Sequence, residues 1–271
     1  MIDLKLKKKE AVDFLGRKGR RIEIIFFGLI LVFVSLLPIF LWSYLDYIFT
    51  TVIEYCTKGV KLTESLNSSL ALVAPILSLA IALLFVIFVT LPVFSCFFGH
   101  SYRIYRDGMA GERKYFALGE QGYFGAMRSG AVIFGILALS LAPVIILVTL
   151  GTHFVFFDDE RVSALVSYLF FLIVAAGLAL GFLVFLLFRP LFLFGYYTAR
   201  GKKVGEALSL SVKRMRSPRA KQIYKEYIKA FLPSLLLSLV TVLVLFLLDT
   251  LPKMSMVYFD IADDIIYGEQ Q

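Results

Sequence analysis

The sequence predicts an all-α protein of the polytopic membrane class, with five transmembrane helices, interfacial amphipathic helices between them, the N-terminus inside and the C-terminus outside. Three observations carry this prediction. Apolar side chains make up 59% of the 271 residues and charged ones 18%, with a mean hydropathy of +0.84; a soluble domain holds about 45–50% and about 25%. Five stretches, 24–45, 65–102, 129–157, 162–188 and 230–248, contain no Asp, Glu, Lys or Arg. The segments between them alternate between basic and acidic. With two Cys and two His, the composition excludes a disordered chain, a disulfide scaffold and a zinc cluster.

A span needs about 20 apolar residues, because each rises about 1.5 Å across about 30 Å of hydrocarbon. One central charge costs about 2.5–3.5 kcal/mol on the insertion scale, so five charge-free stretches imply five spans, at about 24–45, 70–95, 130–155, 163–188 and 230–248. They form one transmembrane domain over 24–248, between a basic cytoplasmic segment, 1–23, and an acidic outer segment, 249–271. The first span is too long for a signal-peptide core, and Trp42-Ser43-Tyr44-Leu45-Asp46 after it offers no cleavage site. Orientation follows from Lys and Arg near span ends, which are retained in the cytoplasm. Segments 1–23, 103–128 and 189–229 hold 24 basic and 9 acidic side chains, against 4 and 11 in 46–64, 158–161 and 249–271. The net +8 thus divides into a basic inner and an acidic outer face. Cys56 and Cys96 fall at opposite membrane faces and cannot pair, and Asn67-Ser68-Ser69 abuts a span too closely to be glycosylated.

The inner ends of spans two and four repeat a pattern. Leu91-Pro92 runs through an aromatic-rich turn to Gly99, Tyr102 and Arg103, and Arg189-Pro190 does the same to Gly195, Tyr196, Tyr197 and Arg200. Pro92 and Pro190 are expected to kink their helices, with aromatics at headgroup depth and glycine freeing the chain to turn along the surface. Pro38 and Pro143 are read as further kinks. After the second exit, Val204, Leu208, Ser211, Val212 and Met215 share one helical face, with Glu206, Lys213 and Arg216 opposite. Beyond Ser217-Pro218, Lys221, Lys225 and Lys229 recur four apart, opposite Ile223, Tyr224, Tyr227, Ile228 and Phe231. Such faces suit interfacial helices. Residues 1–23 and 115–127 fit the same plan, a surface helix followed by two spans, used twice and then a third time without the return. In place of that return, Met254, Val257, Tyr258, Ile261 and Ile265 line one side of a short helix with Asp260, Asp263 and Asp264 on the other, expected to cap the bundle on the outer surface. The D-x-x-D-D spacing lacks the glycine and distal glutamate of a calcium loop.

Catalytic chemistry has few carriers. His100 and His153 lie at opposite faces, and no phosphate loop, zinc-protease, nucleophile-elbow or redox motif occurs. No catalytic, cofactor-binding or metal-binding residue is therefore assigned, and no cofactor is expected. No ionisable group falls at mid-membrane, where a transporter carries one; Ser35, Ser78, Ser140, Ser167, Ser238 and Thr241 are expected to bond across helices or to their own carbonyls. Gly177-x-x-x-Gly181, and Gly130 with Gly135, allow close helix approach. Gly177 and Gly181 are read as a packing seam, within the bundle or between subunits.

The pattern Gly205-Glu206-Ala207-Leu208-x-x-Ser211-x-x-x-Met215, with the closing Met256-Val257-Tyr258-Phe259-Asp260, resembles the bacterial multipass proteins of domain-of-unknown-function family 975, loosely related to the membrane portion of glycerophosphoryl diester phosphodiesterases. The resemblance implies a multipass fold in a bacterial inner membrane and supplies no catalytic residue.

The strongest functional signal is basic charge. Arg200, Lys202, Lys203, Lys213, Arg214, Arg216, Arg219, Lys221, Lys225 and Lys229 stand against two acidic residues, Glu206 and Glu226. At about 1 kcal/mol per basic side chain near an anionic surface, they are expected to contact lipid headgroups; beside a membrane, lipid rather than nucleic acid is the partner. The expected function is a non-enzymatic accessory or scaffold in the cytoplasmic membrane, engaging anionic lipid and a membrane protein partner or a second copy of the chain. The alternative is a permease or permease subunit for a small or amphipathic solute. The third reading is a lipid-modifying enzyme using carboxylates such as Asp107, Glu112 and Glu120.

Overall fold

The computed structural model describes residues 4–16, 20–58, 64–107, 122–155, 163–240 and 246–268, and every regular element among them is helical. After α1 (Leu4–Leu15) comes the 38-residue α2 (Arg20–Thr57). Next, α3 (Glu64–Phe85) runs through a π-helical turn, Val86–Thr90, into α4 (Leu91–Asp107). α5 (Gly122–Val155) and α6 (Ser163–Leu187) pack as a pair; a 3-10 turn, Arg189–Leu191, then leads to α7 (Phe194–Ala199), α8 (Val204–Arg214) and α9 (Pro218–Val240). A second π-helical turn, Phe246–Thr250, opens α10 (Leu251–Tyr267).

Among the described residues three helices are long and apolar enough to cross a membrane, Arg20–Thr57, Ser69–Arg106 and Gly122–Leu147; a fourth crossing arises if Leu172–Leu187 and Arg189–Ala199, bent by 54°, count as one. Their surfaces are apolar and exposed, from Phe33 and Phe40 on α2 to Leu72 and Ile76 on α3 and Leu183 and Leu187 on α6. That is the reverse of a soluble fold and marks a membrane protein.

The repeated prolines mark where each chain leaves this apolar bundle. Phe88 and Leu187 are exposed, whereas Phe94 and Phe97 after the first, and Leu193, Phe194 and Tyr196 after the second, are buried. From there on, α4, α7, α8, α9 and α10 with α1 and the first turns of α2 enclose one aromatic-rich core, here termed the capsule. The two repeats meet inside it: Tyr102 and Tyr196 stack edge to face at 5.7 Å.

The expected pair of kinks is not realised symmetrically. Pro92 cannot donate to the Phe88 carbonyl one turn back. The π-helical turn widens the helix there, the Leu91 N–H reaches the Val86 oxygen, and the Tyr123 hydroxyl donates to the orphaned Phe88 carbonyl, so Ser69–Arg106 continues as one helix. At Pro190 the helix breaks. Ser211 of α8 donates to the Pro190 carbonyl at 2.8 Å and accepts from the Leu193 N–H at 3.1 Å. Tyr258 of α10 donates to the Phe192 carbonyl at 2.8 Å and accepts from the Tyr196 N–H at 2.9 Å. Two hydroxyls from distant elements thus satisfy the four backbone groups that the 54° bend releases.

Two expectations are not confirmed, and residues 241–245 of the first lie outside the described residues. The stretch 230–248 was expected to cross as a fifth span, which would part its ends by about 28 Å at 1.5 Å per residue. Instead Phe231 and Asp249 line one cleft, with the Lys8 ammonium 4.3 Å over the Phe231 ring, and Arg21 bonds the Leu248 carbonyl and Asp249. Both ends return to the N-terminal helices. The segment 249–271 is expected on the opposite face from 1–23, yet its helix α10 docks against α1: Lys7 bridges Asp260 at 2.5 Å and Asp264 at 2.7 Å. The acidic helix finds its counter-charge on α1, and its apolar side fills the capsule.

Candidate anion-binding face and cleft

The capsule's position is fixed by α10. Met256, Val257, Phe259, Ile261, Ala262 and Ile265 are all buried, at about 1.5–3 kcal/mol for each of the larger side chains. Its polar side is a clamp, since Asp263 accepts from the Tyr105 hydroxyl at 2.8 Å and from the Tyr196 hydroxyl. These aspartates, read from sequence as a solvated outer face, instead tie α4, α7 and α1 to the C-terminal helix. The carbonyl of Gly268 accepts from Arg219 at 2.5 Å.

Against this frame the ten basic residues separate into two groups. Arg200 donates to Tyr196 at 2.8 Å and to Tyr267, Arg214 hydrogen-bonds Tyr197, and Arg219 holds Gly268; these three staple the capsule. Lys202, Lys203, Lys213, Arg216, Lys221, Lys225 and Lys229 are exposed. Two carry weak ion pairs with near neighbours in the chain, Lys202 with Glu206 at 2.6 Å and Lys229 with Glu226 at 3.7 Å. The faces opposite them, Ala207, Ser211 and Met215 on α8 and Ile223, Tyr224, Tyr227 and Phe231 on α9, are buried in protein. The amphipathic periodicity therefore reports a protein core as well as an outward basic rim.

No pattern in the chain points to the cleft between α1, α9 and the start of α10. Its volume is about 280 Å³, and Lys8, Lys9, Val12, Phe231, Asp249 and Lys253 are among its walls. Asp249 is already engaged by Arg21 at 2.9 Å and Lys253 at 2.6 Å. Lys8 bonds the Ala230 carbonyl and lies over the Phe231 ring; burial, then repulsion from Lys253, holds its ammonium below the usual lysine range. Lys7 is the contrast. Burial pulls its pKa down, but hydrogen bonds to Asp260 and Asp264 more than offset this and leave it raised.

The remaining candidates are dispersed. A Cβ at Gly177 would lie 3.0 Å from Val144 Cα and one at Gly181 2.4 Å from the Ser140 carbonyl oxygen, so both glycines sit against α5 within one chain. Ser35, Ser78 and Ser140 donate to carbonyls of their own helices. His100 stacks on Phe27 at 3.9 Å, with Nε2 3.7 Å from Glu23, beyond hydrogen-bond range. Asp107 ends α4, while Glu112 and Glu120 lie outside the described residues. Among the described residues, no group of three or more His, Cys, Asp and Glu side chains could hold a metal ion. No protein-family model, curated protein or solved structure matches this chain.

Proposed function

We propose that the chain is a non-enzymatic scaffold of a bacterial cytoplasmic membrane that crosses the bilayer four times, keeps both described ends inside, and rests its capsule on anionic lipid through the basic rim of α8 and α9. The observation that supports this reading is the division of the basic residues. Arg200, Arg214 and Arg219 bond tyrosines or backbone of the capsule, and the other seven are exposed on the part of the molecule that adjoins the apolar bundle. At about 1 kcal/mol each near an anionic leaflet, they supply an electrostatic term that a topology signal does not require.

Charge favours the same orientation after the fifth crossing is removed. Placing 249–271 with 1–23, 103–128 and 189–229 leaves 25 basic and 14 acidic side chains inside, against 3 and 6 in 46–64 and 158–161. The scaffold would present the capsule to a membrane protein partner or a second copy of the chain.

Spin-labelled lipids test the lipid contact. With the full chain in mixed bilayers, the motionally restricted fraction should be larger for phosphatidylglycerol than for phosphatidylcholine. Replacing Lys213, Arg216, Lys221 and Lys225 by Gln should remove the difference. Equal restriction of the two lipids by the unaltered protein would reject the reading.

A further inference from the structure

We propose that the cleft between α1, α9 and the start of α10 is a discrete binding site for one phosphate-bearing anion, taken as the headgroup of a phospholipid. This rests on the four-crossing placement of the capsule but not on the basic rim. Three lysines, Lys8, Lys9 and Lys253, line the cleft, and Asp249 is the acid among its lining residues. That carboxylate is already shared between Arg21 and Lys253. Lys8 has no carboxylate within ion-pair distance among the described residues; its contacts are a carbonyl and an aromatic face. Holding two ammonium groups near one another and partly out of water is unfavourable unless an anion joins them, and a phosphate offers several acceptor oxygens to such donors at once.

The surroundings favour a lipid over a free ion. Phe231 and Val12 give the cleft an apolar wall. Arg21 grips Asp249 at the cleft's edge, and from Ile22 and Phe26, 70% and 55% exposed, the outward side of α2 is apolar. A headgroup phosphate between Lys8 and Lys253 would leave its acyl chains beside the exposed face of α2. Free phosphate shares the anionic chemistry but gains nothing from that face.

Native mass spectrometry of the detergent-purified full chain tests this, with phosphatidylglycerol, phosphatidylcholine and inorganic phosphate as probes. One equivalent of phosphatidylglycerol should be retained. The double substitution Lys8→Gln and Lys253→Gln should weaken it roughly tenfold or more, Lys8→Arg should preserve it, and Lys221→Gln with Lys225→Gln should leave it unchanged. Displacement of the lipid by millimolar inorganic phosphate, with the same dependence on Lys8 and Lys253, would keep the site and reassign its source to free phosphate. Wild-type retention by the Lys8→Gln, Lys253→Gln protein, or loss of binding through Lys221 and Lys225 alone, overturns the proposal. Failure of the rim is read separately, as equal restriction of the two spin-labelled lipids while the single equivalent stays bound.

Discussion

Gly130 and Gly135 sit five residues apart on α5 and look interchangeable in sequence, yet their surroundings differ completely. A Cβ at Gly130 would fall 1.7 Å from the backbone oxygen of Leu91, whereas one at Gly135 would meet nothing within 4 Å. Gly130→Ala must push α5 off the π-helical turn and should lower stability by about 1–3 kcal/mol or more. Gly135→Ala, in a helix interior, should be neutral or stabilising by up to about 1 kcal/mol; thermal unfolding of the two variants in detergent makes the comparison. Tyr258 carries a second prediction. Removing its hydroxyl leaves the Phe192 carbonyl and the Tyr196 N–H unpaired in a buried site, so Tyr258→Phe should cost about 1–3 kcal/mol and raise amide exchange at Tyr196. The sequence singled out Ser211 and Tyr258 as parts of recurring patterns; that both splint the break at Pro190 follows from the contact between α7, α8 and α10.

Among the elements, α10 and the stretch 230–248 are where hydropathy decides least. Hydropathy cannot tell a span from an apolar segment whose two ends return to the same helices, because both are free of charge along their length. What separates them is where the ends go, and Lys8 and Arg21 hold them together. The native Cys56 is exposed near the far end of α2, and Tyr267 is exposed at the end of α10. An impermeant thiol reagent applied to intact cells should label Cys56 but not Tyr267→Cys, which should react after lysis; labelling of both from outside would restore the fifth crossing. The tie between α1 and α10 has its own signature. Because the folded-state pKa of Lys7 is raised above the ordinary 10.5, its contribution to stability is complete below pH 10.5 and fades as pH climbs through the raised value. Lys7→Gln should therefore loosen α1 by about 1–2 kcal/mol at neutral pH. Hydrogen exchange over Leu4–Leu15 should rise in that variant, and in the parent protein only in strong alkali.

For the whole molecule, the capsule is a cooperative unit in which an amphipathic helix at each end of the chain closes on the exits of two membrane helices. Ending the chain after Thr250 removes the Asp263 clamp, the Tyr258 splint and a buried side of α10 worth about 1.5–3 kcal/mol per large apolar residue. Limited proteolysis should then cut α7 to α9 while α2 and α5 stay protected by detergent or lipid. The sequence by itself determined that the protein is helical, that it belongs to a membrane, where the charge-free stretches lie, which faces of α8 and α9 are basic and where each proline repeat falls, since all of these are set by composition and by periods of a few residues. The tertiary structure alone decided that two alike prolines act differently, that three of ten basic residues bond tyrosines and backbone of the capsule, that Phe231 and Asp249, at the two ends of the last apolar stretch, line one cleft, and that Lys8 and Lys253 face it. Those outcomes depend on which distant backbone groups and charges meet, and pairings across 253 positions, as between Lys7 and Asp260, leave no periodic trace in the chain.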